Sequence, residues 1–268
     1  MKSDSVQYLY DKKVRFEYLD KQHRYLVGKQ VKPNLYTEPT PVLGITTVIG
    51  IIAKDSLIQW AANTASSYMR DNWKEGISLT ALADEAKVAH KDKANKGASI
   101  GGIGHKMIEA LLLGKKLKMP KDKELNAQLQ NIATQYFKFV EDFTPEVIHV
   151  EQPGYSLIHN FAGTDDVYWK INGKNVLTDF KTSNRSYYNP DGIYASYFAQ
   201  LGGQAILIEE MTGDTVDDCW SVNFAKDSEE YKYKRLSDLG FSVIDAKLYF
   251  LACLNLYQIN HLFEHKVK

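Results

Sequence analysis

The sequence predicts a mixed α/β fold in which helices flank a central mixed β-sheet. Three observations support this fold class. Segments with apolar residues at helical spacing stand before, between and after a set of short strand-like segments. The 268 residues are 44% hydrophobic, which is enough to bury one sizeable core. The strand-like segments combine β-branched and aromatic residues and lie near 147–155, 163–171, 175–181 and 219–224.

Residues 1–145 are predicted to form an N-terminal hairpin followed by a helical subregion. Phe16, Tyr18 and Tyr25 occur in a partly alternating segment, which predicts a hairpin within residues 14–27. Four helices follow, at Ser56–Asn72, Leu79–Asn95, Ile103–Leu113 and Lys123–Phe143, with Gly76 and Pro120 as breaks.

Residues 146–226 are predicted to form the sheet core, with a helix near Ile193–Met211. Residues 227–268 are predicted to contain a long C-terminal helix near Ser228–Phe263. Because no repeat, low-complexity tract or linker divides the chain, we expect one domain over residues 1–268.

Composition narrows the class of protein. No stretch approaches the length of a membrane span, and the N-terminus lacks the layout of a secretion signal. Two cysteines make no disulfide framework, which is typical of a reducing compartment, so we expect a cytoplasmic protein without a membrane partner. The formal net charge is zero, so overall charge gives no support for nucleic-acid binding.

One predicted hairpin brings two carboxylates together. If Asn172-Gly173 is its two-residue loop, Ile171 faces Lys174. Counting outward in that register places Asp166 opposite Asp179. Directly paired side chains lie roughly 5 Å apart at Cβ, and two like charges so placed repel each other. A divalent cation between the two carboxylates would remove this repulsion.

Lys181 is predicted to join this pair, because side chains two residues apart on a strand share a face. Asp165 and Phe180 fall on the other face, so the register selects Asp166 over its neighbour. Two hard oxygen ligands suit Mg²⁺ or Mn²⁺. The alternative is an exposed hairpin with solvated charges, but the apolar Val176-Leu177 run indicates a partly buried strand.

These motifs resemble the PD-(D/E)XK nuclease superfamily, and most closely its RecB-like exonuclease branch. The branch pattern is Gly-Thr-x-Asp followed after thirteen residues by Asp-x-Lys-Thr, which here is Gly163–Asp166 and Asp179–Thr182. Gly101–Glu109 is similar to the branch's Gly-x-x-x-His-x-x-x-Glu helix, and Tyr197–Leu201 resembles the helix that carries its Gln. Residues 44–62 are similar to phage-encoded members.

The resemblance implies a restriction-endonuclease-like core and assigns a role to each site residue. His105, Asp166, Asp179 and the backbone carbonyl of Phe180 would hold one or two Mg²⁺ or Mn²⁺ ions. Lys181 would orient or activate the attacking water, and Gln200 would contact the substrate or brace Lys181. Glu109 and Glu151 are secondary metal ligands. The branch often has Tyr four residues after the Gln; this chain has Gln204, so no role is assigned to that position.

Each of these residues also has a simpler interpretation. His105 and Glu109 lie one turn apart at the border of an apolar helical stripe, where a histidine often only borders the core. Glu109 and Glu151 are otherwise ordinary solvated residues. DNA contacts are predicted at Lys115, Lys116, Thr182 and Tyr197, although lysine runs are usually solvated surfaces and aromatic residues usually pack.

The sequence thus predicts a metal-dependent DNA exonuclease that acts in phage or bacterial DNA replication, recombination or repair. Its partner is DNA, and the resemblance also implies a single-strand annealing protein, a recombinase or a helicase. Cys219 and Cys253 are too few for the iron–sulfur cluster of some relatives, and no P-loop indicates a nucleotide.

Three other functions stay open at this point. One is a structure-selective endonuclease, and another is a non-catalytic DNA-binding recombination accessory protein on a nuclease scaffold. A zinc hydrolase using His105 and Glu109 ranks lower, because one His and one Glu supply too few ligands.

Overall fold

The computed structural model of the protein describes residues 6–19, 22, 24–52, 55–116, 119–184 and 193–266. Within these residues the chain forms twelve strands, in two sheets, and six α-helices. The predicted mixed α/β fold is confirmed. None of the helices among the described residues combines the length and apolar character needed to cross a membrane.

The sheet that carries the predicted site has five strands in the order β12-β11-β10-β9-β6. Strands β10 and β11 are parallel, and the other neighbours are antiparallel, so the sheet is mixed as predicted. The strands are β6 Glu146–Val150, β9 Val167–Ile171, β10 Lys174–Ser183, β11 Asp218–Ala225 and β12 Lys232–Arg235.

A second, seven-stranded sheet contains the predicted N-terminal hairpin, which is formed by β2 and β3. Its order is β1-β2-β3-β5-β8-β7, and β4 pairs with β3. The strands are β1 Val6–Leu9, β2 Val14–Leu19, β3 Arg24–Lys32, β4 Leu35–Tyr36, β5 Thr40–Gly44, β7 Pro153–Tyr155 and β8 Phe161–Thr164.

Two predicted strands are wrong in one respect, because each is divided between the two sheets. The segment 147–155 forms β6 in one sheet and β7 in the other, and 163–171 likewise contributes to β8 and β9. The chain leaves the ladders at residues 151–152 and 165–166, where Glu151 adopts a left-handed φ of 50°. These two crossings place Glu151 and Asp166 where the sheets meet.

The helices differ from the prediction at two places. A single 34-residue helix replaces the two predicted at Leu79–Asn95 and Ile103–Leu113. The predicted Ser228–Phe263 helix begins only at Val243, because Lys232–Arg235 pairs with β11 as a strand. The helices are α1 Ile45–Val48, α2 Asp55–Asn72, α3 Leu79–Leu112, α4 Lys123–Phe143, α5 Ala195–Thr212 and α6 Val243–Lys266.

The five-stranded sheet is covered on both faces. On one face, α3 and α4 pack over a buried aromatic cluster that includes Phe139, Trp169 and Phe180. On the other face, α5 packs over the sheet through residues such as Leu201, which contacts the cluster around Leu177. Since alternate residues of β10 face opposite layers, Phe180 points to the α4 side, whereas its two neighbours point toward α5.

Helix α6 packs closely on the outer side of α5. A Cβ atom added to Gly202 would lie 2.0 Å from the backbone oxygen of Ala246, so only glycine permits this approach. Helix α5 is therefore held between the sheet and α6, which fixes the side chains that it directs toward β10.

Candidate active site

The hairpin of β9 and β10 has the predicted loop and the predicted register. Asn172 and Gly173 both have positive φ, 51° and 78°, as a type I′ turn requires. Ile171 pairs with Lys174, and the ladder continues for five pairs to Val167 and Thr178. Asp166 stands just before Val167 in the chain, and Asp179 stands just after Thr178. The predicted direct pairing of Asp166 with Asp179 is therefore wrong: they are neighbours just beyond the last pair, because β9 begins only at Val167.

Beyond the end of β9, the Asp166 side chain makes the hydrogen bond to β10 that a continuing strand would make with its backbone. Its Oδ2 atom accepts a hydrogen bond of 2.7 Å from the Phe180 backbone N–H, which β9 no longer reaches. The N–H and C=O of one residue point to the same side of an antiparallel pair. The Phe180 carbonyl, predicted as a metal ligand, therefore faces the same edge as the Asp166 side chain.

Asp179 lies on the α5 side of β10 and is only 1% exposed. Its Oδ1 accepts a hydrogen bond of 2.8 Å from Gln200 Nε2, and the Lys181 ammonium contacts its Oδ2. Lys181 also donates to Gln200 Oε1 at 3.2 Å and lies 4.6 Å from the centre of the Tyr197 ring. The carboxylate, the ammonium and the amide thus form one closed group between the sheet and α5.

The charges of this group perturb one another. Burial raises the pKa of Asp179 to about 6; the Lys181 ammonium opposes this rise and the Asp166 carboxylate adds to it. Burial lowers the pKa of Lys181, but the nearby Asp179 and Asp166 carboxylates outweigh burial and leave it above its ordinary value. Lys181 is therefore an ammonium in this arrangement, which can donate hydrogen bonds but cannot accept a proton.

Helix α3 brings His105 to the same edge because glycines let the helix approach β10. Cβ atoms added to Gly101 and Gly104 would lie 3.2 Å from Thr182 side-chain atoms, so the helix and strand are in close contact. His105 Nδ1 is 3.7 Å from Asp166 Oδ2. This separation is too long for a hydrogen bond, and the imidazole is 32% exposed.

Glu151 and Glu109 extend the acidic character of this edge. Burial raises the pKa of Glu151 to about 8, and the carboxylates of Asp166, Glu109 and Asp165 add to the rise. The backbone N–H of Glu151 donates to the Asp166 carbonyl at 3.0 Å. Glu151 thus lies within electrostatic range of both Asp166 and Glu109.

The donor types at this edge fit a hard divalent cation: carboxylates, a backbone carbonyl and one imidazole. Asp179 Oδ2 is buried and its partner is the Lys181 ammonium, so a bound cation would share this carboxylate with the lysine. Among the described residues, however, no three His, Cys, Asp or Glu side chains are close enough together to form a coordination group. The donors fit by chemistry, while their roles as ligands stay a prediction.

The predicted DNA contacts occupy three different positions. Thr182 packs against the glycine face of α3, and Tyr197 lies against Lys181 inside the site. Lys115 and Lys116 are exposed just beyond the end of α3, roughly 15 Å along the chain direction from His105. Contact of any of these residues with DNA stays a prediction.

Sequence reasoning missed a group of residues that hold the segment before Asp166. Gln204 Nε2 donates to the Thr164 carbonyl at 3.0 Å, and His149 Nε2 lies 3.1 Å from Asp165 Oδ2. Burial raises the pKa of Asp165, and His149 opposes the rise. The signal for Gln204 was its position one helical turn after Gln200, because residues four apart share a face. Helix α5 therefore uses two glutamines: Gln200 binds Asp179 on β10, and Gln204 binds the segment that leads to Asp166.

Known proteins resemble this chain only weakly. No protein-family model matches the chain, and no curated protein matches it significantly. An alkaline exonuclease (LHK-Exo) from Laribacter hongkongensis is similar in structure, with a TM-score of 0.31 and 12% identity over 78% of this chain and 97% of that one. The structure of LHK-Exo in complex with dAMP gives a TM-score of 0.30 and 14% identity over 78% and 98%. At these TM-scores the likeness carries no argument about this chain.

Proposed function

We propose that this protein is a metal-dependent deoxyribonuclease that hydrolyses phosphodiester bonds from DNA ends. One observation carries the proposal: Asp179 is buried against Lys181 and Gln200 while Asp166 stands beside it at the end of the same ladder. A protein that only binds DNA has no need to bury a carboxylate beside another, because this arrangement costs stability.

The residues that would hold Mg²⁺ or Mn²⁺ are Asp166, Asp179, His105 and the Phe180 carbonyl, with Glu109 and Glu151 as secondary ligands. When bound, one or two such ions supply Lewis-acid stabilisation of the charge on the attacking and leaving oxygens. The clustered carboxylates favour a cation at this edge, since positive charge offsets both the burial and the carboxylate repulsion that raise the pKa of Glu151.

Lys181 orients or activates the attacking water and stabilises developing negative charge on the phosphate. Its ammonium form has three donors, which it can direct to the water or to a phosphate oxygen. Gln200 holds the lysine by accepting one of its hydrogen bonds while donating to Asp179. The ring of Tyr197 packs against the Lys181 ammonium on another side and restricts its movement.

The test is degradation of end-labelled linear DNA and closed circular DNA with Mg²⁺, with Mn²⁺ or with EDTA. The wild type is compared with Asp179→Asn and Lys181→Ala, and Lys174→Ala is the matched control, since Lys174 is exposed at the other end of the same strand. We expect metal-dependent loss of linear DNA only, retained by the control and lowered at least 100-fold by the other two variants.

Two outcomes would contradict the proposal. Cutting of the closed circle would establish an endonuclease in place of an exonuclease. Equal inactivity of all four proteins with both metals, together with retained DNA binding, would favour the accessory protein. Circular dichroism of each variant separates loss of chemistry from loss of fold.

A further inference from the structure

Helix α6 is apolar on two opposite faces. One face is buried against α5 and its surroundings through Ala246, Phe250, Cys253 and Leu254. The opposite face is exposed and nevertheless carries large apolar side chains. They are Ile244, Leu248, Leu256, Ile259, Leu262 and Phe263, whose exposed fractions range from 49% to 63%. We call these six residues the outer stripe.

The outer stripe has the periodicity of a helix-packing surface. Ile244, Leu248, Ile259 and Phe263 continue along one side of the helix with Ala252 and Asn255, in steps of three or four residues. A helix that is apolar all round is typically buried on every side. Within the described residues, no element covers this side of α6, because its large side chains stay about half exposed or more.

We propose that the outer stripe is the interface for a second copy of this chain, with the two α6 helices packed antiparallel about a twofold axis near Asn255. A twofold interface uses the same patch on both subunits, so a single apolar stripe is sufficient to build it. The proposal does not rest on the nuclease function.

The area of the stripe agrees with a dimer. A large apolar side chain presents on the order of 120 Å² when fully exposed, so six of them at about half exposure supply roughly 400 Å². The flanking Phe241 and Tyr249, which are 49% and 38% exposed, extend the patch. A standard interface buries about 800 Å² per partner, about 65% of it apolar in homodimers, which requires roughly 500 Å² of apolar surface.

Asn255 favours a second copy over an unrelated apolar surface. It lies within the apolar row and near its middle. An amide that is buried without a partner is costly, whereas the amide of a second Asn255 offers both a donor and an acceptor. A polar residue at one position of an apolar helix seam also selects a single register and oligomeric state.

The charge of α6 argues against a lipid surface as the occupant. Helices that lie on membranes carry Lys or Arg beside their apolar face. Residues 248–265 contain neither, and Lys247 is engaged by Glu209 at 2.6 Å.

The first experiment measures the mass of the protein by analytical ultracentrifugation, without DNA and with EDTA, from about 1 to 100 μM. We expect a species of twice the 30.5 kDa chain mass. The double variant Leu248→Glu/Ile259→Glu should raise the dissociation constant at least 100-fold. Ile58→Glu, which changes a residue 71% exposed on α2, is the matched control and should leave the dimer intact. Circular dichroism verifies that each variant is folded.

A second measurement tests the antiparallel register. An axis near Asn255 places residue 255 opposite itself and separates the two copies of residue 244. Under mild oxidation Asn255→Cys should therefore form a covalent dimer and Ile244→Cys should not. The native Cys219 and Cys253 are buried, so we expect neither to form a cross-link, and the wild type serves as the control.

The proposal is overturned by a chain that stays monomeric throughout the concentration range, or by a dimer that survives the double substitution. Cross-linking through Ile244→Cys in preference to Asn255→Cys would overturn the antiparallel arrangement. Monomeric protein that binds anionic vesicles through the outer stripe would assign the surface to lipid.

Discussion

Replacing Glu151 with Gln should stabilise the metal-free protein at high pH. Glu151 has a pKa raised to about 8, chiefly by burial and by the carboxylates of Asp166 and Glu109. The ordinary value is 4.5, so between the two values the folded chain keeps a proton that the unfolded chain has released. Stability therefore falls as the pH rises from about 4.5 through about 8, and it stays low above that range.

The size of the effect follows from the same pKa. Each tenfold change in proton affinity corresponds to about 1.4 kcal/mol, so the rise from 4.5 to about 8 makes charging Glu151 cost on the order of 5 kcal/mol at about pH 9. At about pH 4 the carboxyl is largely neutral in both states and the cost is close to zero. Since Gln has the same shape and no charge, Glu151→Gln should recover most of this free energy at pH 9 and almost none at pH 4.

Urea unfolding in EDTA at the two pH values measures this difference. The control is Glu146→Gln, which removes an exposed glutamate from the adjoining strand and should change the free energy of unfolding by less than about 0.5 kcal/mol at either pH. An equal effect of Glu151→Gln at pH 4 and pH 9 would refute the electrostatic reasoning. Destabilisation at pH 9 would show that the charged carboxylate is favourably bound in the folded protein.

Three further predictions concern packing and the site. Gly202→Ala should destabilise the fold by about 3 kcal/mol or more in denaturant unfolding, because the new Cβ meets the Ala246 carbonyl. The control Gly102→Ala, whose new Cβ has nothing within 4 Å, should stabilise the fold by about 0.5 kcal/mol. Similar effects of the two substitutions would contradict the close α5–α6 contact. Mn²⁺ should raise the melting temperature of the wild type, and His105→Ala should reduce the rise; an unchanged rise would remove His105 from the metal site. Gln200→Ala should lower kcat more than it raises KM in a DNA-cleavage assay, since it frees Lys181 without removing it, and unchanged kcat would contradict this role.

The local features of the site could be predicted because they depend on neighbouring residues. The Asn172-Gly173 dipeptide specifies a type I′ turn through its positive φ angles, and the turn then determines the register of β9 and β10. Alternation along β10 places Asp179 and Lys181 on one face. Helical spacing likewise predicted α4 with its observed bounds, Lys123–Phe143.

Other features could not be predicted because they depend on contacts between distant parts of the chain. The sequence predicted one helix ending at Asn95 and another beginning at Ile103, yet a single helix continues through this stretch, where Gly101 and Gly104 pack against Thr182, about eighty residues later in the chain. The segment around Lys232 had helical character, but pairing with β11 makes it a strand. In both cases a tertiary contact outweighs a local preference of about 1 kcal/mol or less per residue.

The sequence by itself determined the acidic pair, its lysine and the mixed α/β class, because turn chemistry and residue periodicity are encoded over a few adjacent positions. Only the tertiary structure decided that the chain crosses between two sheets at residues 151–152 and 165–166. It also decided that Gln204 holds Thr164, that Glu151 is largely buried and that one face of α6 stays uncovered. These features arise from long-range packing, in which burial and electrostatics are set by residues that no local pattern identifies.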